Sequence, residues 1–164
     1  LSDNAAISHV TNYSAGRRVL KVAGSEDFAR QLRRLKDDGV RVRQLLIDAH
    51  GSPASTQIMD GDTLKGFSGL EDLFAPGAEI LFSSCNTGKG EEGVQFMRQV
   101  GKTFLSRGGG RVTAAVDYVR FLPAHLRPLA GPAALAQGDV SLKGYLQLRV
   151  DAGGASRLRP VVGR

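Results

Sequence analysis

With 164 residues, 41% of them hydrophobic and 23% charged, the chain has the composition of a single globular domain and can bury a core without staples. Its one cysteine excludes an internal disulfide, and no apolar run reaches membrane-spanning length. The net charge of +6 favours acidic partners in general terms, yet Trp is absent, aromatics are 6% and the basic residues are scattered, which argues against a nucleic-acid surface. No signal peptide is read at the start. Leu1 in place of Met points to a processed product or a piece of a longer polypeptide with neighbouring domains.

Residues 1–16 show no sustained period and read as a loose arm, with Ala6–Val10 a short edge strand and His9 a surface residue. Arg17–Gly24 (RRVLKVAG) has the length and turn boundary of a first strand. Ser25 reads as an N-cap, with Glu26 and Asp27 in the first turn where carboxylates suit the positive end of a helix. Phe28, Leu32 and Leu35 then share one face, Arg30, Arg33 and Arg34 face solvent, and Gly39 supplies the stop.

Arg43–Ser52 (RQLLIDAHGS) is an apolar run of strand length that ends at His50 and Gly51. Within Pro53–Leu64, Asp60-Gly61 is a hairpin-turn signal, and Gly69–Gly77 (GLEDLFAPG) reads as a short helix closed by Pro76 and Gly77. Ala78–Gly90 (AEILFSSCNTGKG) is a second apolar run, and it ends at Cys85. A helix from Gly90 turns Val94, Met97, Val100, Phe104 and Leu105 inward and stops at Gly108–Gly110. Arg111–Arg120 is a further buried strand that becomes polar at Asp117, Phe121–Asp139 a Pro-rich surface loop, and residues 141–163 a terminal β-hairpin about Gly153-Gly154. Strands alternating with helices indicate right-handed parallel crossovers, hence one α/β domain over 1–164.

In open sheets of this kind ligands bind beyond the carboxyl ends of the strands, where both His50 and Cys85 fall. A thiol attacks as its thiolate, and an adjacent imidazole can take or balance that proton. Backbone N–H groups of Gly51 and Cys85 are candidates to meet a developing oxyanion, the glycine permitting close approach. A lone Cys in an apolar strand is more often a small core residue, and a His beside Gly an ordinary turn residue. Their common position at strand ends is what favours chemistry. Asp48 shares the strand face of His50 but lies deeper. Cys85 with His50 or His125 lacks the paired spacing of a metal site, and neither a P-loop nor a dinucleotide fingerprint is present, so no metal or cofactor is expected for the chemistry.

The segments LLIDAHGS and ILFSSCNTGKGEEGVQFMRQVGKTFLSRGGGRVTAAV resemble the caspase-like superfamily of cysteine peptidases, nearest to bacterial CHAT-type domains and toxin-associated self-processing domains. The resemblance covers about Val19 to Val119, with the segment around Ser84-Cys85-Asn86-Thr87-Gly88 its most specific part. It implies a caspase-like three-layer fold, a mostly parallel central sheet flanked by helices, with a His50/Cys85 dyad that hydrolyses peptide bonds and Gly51 and Cys85 as oxyanion donors. The 35 positions between His50 and Cys85 are few for that superfamily, and the tail after Val119 matches nothing in it.

The expected partner is a protein or peptide substrate, processed in trans or as part of the same polypeptide, in the cytoplasm or within a delivered bacterial toxin or effector. Candidates for selecting the side chain before the scissile bond are Asp117 and Asp48, as carboxylates, and Arg120, which would favour an acidic residue. The toxin relatives further imply inositol hexakisphosphate as an activator, for which Lys143, Arg149, Arg157 and Arg159 are the matching basic residues. The alternative is a non-catalytic module of the same fold that binds a polyanion through this hairpin.

Overall fold

A computed structural model describes residues 8–12, 18–117 and 145–160. In chain order these form β1 (Ser8–Asn12), β2 (Arg18–Val22), α1 (Ser25–Asp37) and β3 (Val42–Asp48), then three two-residue strands, β4 (Gly51–Ser52), β5 (Ser55–Thr56) and β6 (Met59–Asp60). Two 3-10 turns (Thr63–Phe67 and Glu71–Leu73) lead to β7 (Phe74–Ser83), α2 (Gly90–Leu105), β8 (Gly110–Ala115), β9 (Tyr145–Val150) and β10 (Ser156–Pro160). The expected loop 121–139, the first residues of the arm and the start of the hairpin segment lie outside the described residues.

One seven-stranded sheet runs in the order β10-β9-β8-β7-β3-β1-β2, and β4, β5 and β6 make a small meander of their own. The protein is α/β with a mixed sheet. Its centre, β3-β7-β8, is parallel, and β1, β2, β9 and β10 join by antiparallel pairing. From β2 to β3 to β7 to β8 the chain always moves across the sheet in one direction. Crossovers of one hand therefore put α1, the 3-10 turns and α2 on the same face. Phe67 is wedged between the two helices, its ring edge-on to Phe28 at 5.3 Å and to Phe104 at 5.5 Å. Leu45, Ile47, Ile80, Phe82, Val112 and Leu148 meet them from the sheet, all buried. The alternate face also buries Leu46, Leu81, Thr113, Ala115 and Tyr145, which explains why β3 and β7 read as continuous apolar runs. Both described α-helices lie on the first face, so the expected helical flanking is met on that side. No described helix is long and apolar enough to cross a membrane.

Several local expectations are corrected. The strand expected at Ala6–Val10 is β1, beginning at Ser8, and it is internal: it lies between β2 and β3, while the strand expected first is the sheet's outer edge. Ser25 is the first helical residue and Gly24 the N-cap, with no side-chain cap. Asp27 does the work from inside the turn, its carboxylate accepting the Ala23 N–H at 2.9 Å. That bond above all holds the Asp27 carboxyl below the usual carboxylate range.

Asp60-Gly61 follows β6 rather than turning a hairpin, because Asp60 is engaged with Thr63: Asp60 Oδ1 accepts the Thr63 N–H at 2.8 Å and Thr63 Oγ1 accepts the Asp60 N–H at 2.9 Å. The short helix at 69–77 shrinks to one 3-10 turn, and β7 starts at Phe74. Pro76 is tolerated there because the pairing with β3 jumps from Val42↔Phe74 to Gln44↔Glu79, leaving the proline in the irregularity. On α2, Val94 is half-buried, whereas Phe96 is buried and its ring lies 5.6 Å from that of Phe82. The terminal hairpin forms as read, β9 against β10 about Gly153 and Gly154.

Candidate active site

The parallel register of β3 and β7 pairs Asp48 with Ser83, and both strands end at that rung. His50 and Cys85 each lie two residues further on. The cysteine turn is held from below by the end of β8 and the residues just after it: Asn86 N–H donates to the Asp117 carbonyl at 3.1 Å and Gly88 N–H to the Ala115 carbonyl at 2.7 Å. Lys89 N–H closes the turn on the Asn86 carbonyl at 2.8 Å, and Asn86 adopts φ 57°, a left-handed conformation that Asn tolerates better than most residues. α2 presses on the turn through glycine, since a Cβ on Gly93 would stand 2.4 Å from the Gly88 carbonyl carbon.

The histidine loop is fastened to the same turn. Ala54 N–H donates to the Thr87 carbonyl at 3.2 Å, and the buried Thr87 Oγ1 reaches the carbonyls of Ser84 at 3.3 Å and Ser55 at 3.4 Å. Gln57 N–H donates to the His50 carbonyl at 3.1 Å and folds the meander back. The close contact between the histidine loop and this turn is at Gly51. A Cβ there would fall 2.6 Å from the Cys85 carbonyl oxygen, 2.6 Å from Thr87 Oγ1 and 2.8 Å from Ser84 Cβ. The residue after the histidine therefore lies directly against the cysteine turn. His50 is exposed and Cys85 half-buried, so both are open to a ligand.

Tyr145, which the sequence reading passed over, also belongs here. It pairs with Ala115 at the end of β8, is 5% exposed, and its hydroxyl is buried without a hydrogen-bond partner among the described residues. Burial first, and then the negative charge of Cys85 and of Asp48, push its phenol up to about 12. The phenol thus shares its surroundings with the thiol and the carboxylate. A signal was present in the sequence: in YLQLRV the apolar phase is Leu146, Leu148 and Val150, and Tyr145 stands on the other phase with Gln147 and Arg149. Ser84 Oγ and Asn86 Oδ1 are likewise buried and unpartnered among the described residues, so the cysteine turn concentrates polar groups that ordinary packing avoids.

Asp48 is half-buried on the rung below His50, in register with Ser83. Asp117 is exposed, and its carbonyl supports the cysteine turn. Arg120, His125 and Lys143 lie outside the described residues, as does the side chain of Arg159, whose strand position pairs with Gln147. Arg149 and Arg157 are brought together, and Arg111 with them: one rung runs Gln44, Glu79, Arg111, Arg149, Arg157 across five strands. Gln44 Nε2 donates to Glu79 at 3.1 Å and Arg111 lies 3.8 Å from the same carboxylate. This row is four residues below Ser83 along β7, roughly 13 Å, so it is separate from the His50/Cys85 rim. Among the described residues no group of His, Cys, Asp and Glu gathers to hold a metal ion. Compared with protein-family models, curated proteins and solved structures, the chain matches none.

Proposed function

We propose that the protein is a cysteine endopeptidase of caspase-like type in which His50 and Cys85 form the dyad. The observation that carries this reading is the Asp48↔Ser83 register, from which an imidazole and a thiol each extend by two residues at the ends of adjacent parallel strands, with Gly51 against the Cys85 carbonyl. In the proposed reaction the Cys85 thiolate attacks the peptide carbonyl, forming a C–S bond, while N–H groups of Gly51 and Cys85 receive the oxyanion. The imidazolium of His50 gives its proton to the departing amine, leaving a thioester. Water then loses a proton to His50 and attacks the thioester, and the carboxylic acid leaves as the sulfur regains its negative charge.

Fluorogenic peptides varied before the scissile bond, offered to wild type, Cys85→Ala and His50→Ala, test this directly. Cleavage is expected from wild type alone, and iodoacetamide should alkylate Cys85 faster in wild type than in His50→Ala. Equal cleavage by Cys85→Ala, or alkylation of Cys85 no faster than that of free cysteine, would overturn the dyad.

One observation favours an additional binding role for the hairpin. Three arginines in register, with Glu79 beside only the first, suit a polyanion. Inositol hexakisphosphate is the probe: calorimetry should show binding that Arg149→Glu removes, and peptide cleavage should rise on its addition if the hairpin also acts as a switch.

A further inference from the structure

We propose that the flank of α2 is a docking groove for an extended segment of a partner polypeptide, with Lys or Arg at one end of that segment and Asp or Glu at the other. The groove lies on the helical side of the sheet and does not depend on the peptidase reading. Two hollows, of about 440 and 400 Å³, adjoin between α2 and the stretch that runs from the meander through the 3-10 turns. Gly61 and Gln99 line both, so the hollows form one groove with a saddle between them. Phe96 lies under the first and Leu64 under the second, both buried.

On the α2 wall, Glu91, Gln95, Gln99 and Thr103 follow one another at intervals of four residues. Such a row advances about 6–7 Å per step along a helix, and an extended chain repeats its backbone groups on one side about every 6.6 Å. The side-chain amides of Gln95 and Gln99 make no hydrogen bond to another described residue, and each can both donate and accept. They are therefore spaced to bond alternate peptide groups of a strand laid along the helix. The facing wall is kept low by Gly61, Ser68 and Gly69, which lets a backbone come close. From Glu91 to Thr103 the groove is about 18 Å long, the span of five or six extended residues.

Charge fixes how the segment lies. Glu91 and Glu92 stand at one end and take no part in the ion pairs among the described residues, so that end suits a cation. At the other end Lys65 and Lys102 outnumber Glu71, which leaves a positive excess for a carboxylate. The same features exclude other occupants. A small-molecule site is enclosed and mostly apolar, whereas this groove is long and polar. A helix has bonded its own peptide groups and could not use the glutamines, and the two glutamates would repel the phosphates of a nucleic acid.

The probes are the hexapeptide acetyl-Arg-Ala-Ser-Ala-Ser-Asp-amide, the same peptide in reversed order, and a control with Asp at both ends, each titrated into nitrogen-15-labelled protein. One of the two dipolar peptides should shift the side-chain amide signals of Gln95 and Gln99, and the control should bind at least tenfold more weakly. Joint Glu91→Gln and Glu92→Gln substitution should weaken binding about tenfold, with the largest loss at low salt. Gly61→Leu should abolish binding and keep the wild-type melting temperature. Gly61 does not have a positive φ, and a Cβ there meets only the end of the Gln99 side chain, at 3.1 Å. Cys85→Ala should bind like wild type, which separates the groove from the dyad. The groove is overturned if neither dipolar peptide moves the glutamine signals at about 1 mM, if the shifts gather around His50 and Cys85 instead, or if the Glu91/Glu92 and Gly61 variants bind like wild type.

Discussion

Gly51→Ala is the perturbation that most directly tests the contact between the two loops. The added methyl would meet the Cys85 carbonyl oxygen and Thr87 Oγ1 at 2.6 Å and Ser84 Cβ at 2.8 Å. None of these is the end of a long side chain that can swing aside. Two are anchored, since Thr87 is hydrogen-bonded to Ser84 and Ser55, and the turn itself hangs on the end of β8 and the residues just after it through Asn86 and Gly88. Relief therefore requires the loops to part by roughly 0.5–1 Å, the gap between these distances and ordinary van der Waals contact. Overpacking of this kind costs about 1–3 kcal/mol, which for a chain of this size lowers Tm by about 3–10 °C. A displacement near 1 Å between reacting groups can cost about 100-fold in rate.

Thermal unfolding followed by circular dichroism, together with the iodoacetamide rate at Cys85, measures both effects. Gly39→Ala is the control: with φ 72° and nothing within 4 Å of its Cβ, it should cost about 1–2 kcal/mol through backbone strain and leave Cys85 unchanged. A Gly51→Ala protein that melts and alkylates like wild type would refute the packed contact on which the site is built.

Three further outcomes follow from named contacts. Tyr145 holds its proton up to about pH 12 when folded but only to about 10 when unfolded, so between these values the folded state binds more protons and stability must fall as pH rises. The loss is on the order of 2–3 kcal/mol, and denaturant midpoints that fall less in Tyr145→Phe than in wild type over pH 10–12 would check it. Arg149→Glu sets an opposite charge between Arg111 and Arg157 and should stabilise by about 1 kcal/mol at low salt, an advantage that disappears in 1 M NaCl. Phe67→Ala removes the ring between α1 and α2 and should cost about 3–5 kcal/mol in urea unfolding.

The parts of the fold that were legible are those whose residues advertise burial. The apolar runs before His50 and Cys85, the face of α1 and the glycine-centred hairpin all follow from periodicity and turn chemistry. β1 was misjudged because five residues carry little period, and nothing local says that a strand will insert between two others. The start of β7 was hidden by Pro76, which ordinarily argues against a strand and is accommodated here only by the register jump opposite Val42 and Gln44. The placement of His50 and Cys85 at the ends of adjacent strands follows locally from apolar runs that stop at each of them. Tyr145 was missed because its relation to them passes through two pairings, β7 with β8 and β8 with β9, that no window of sequence contains. The arginine row was half seen for the same reason: Arg149 and Arg157 are neighbours in the hairpin, while Arg111 joins them only through the sheet.

The position of β1 sets a practical boundary. Its pairs run from His9↔Asp48 to Asn12↔Leu45 on one side and from Ser8↔Val22 to Asn12↔Arg18 on the other, so these five residues are the mortar between the histidine strand and everything outboard of it. A fragment trimmed to start after Asn12 would leave β2 with no partner and turn one flank of β3 into a raw edge, ready to adopt a strand from another molecule. Any shortened version made for biochemistry has to begin ahead of Ser8, even though His50 and Cys85 lie forty and more positions downstream.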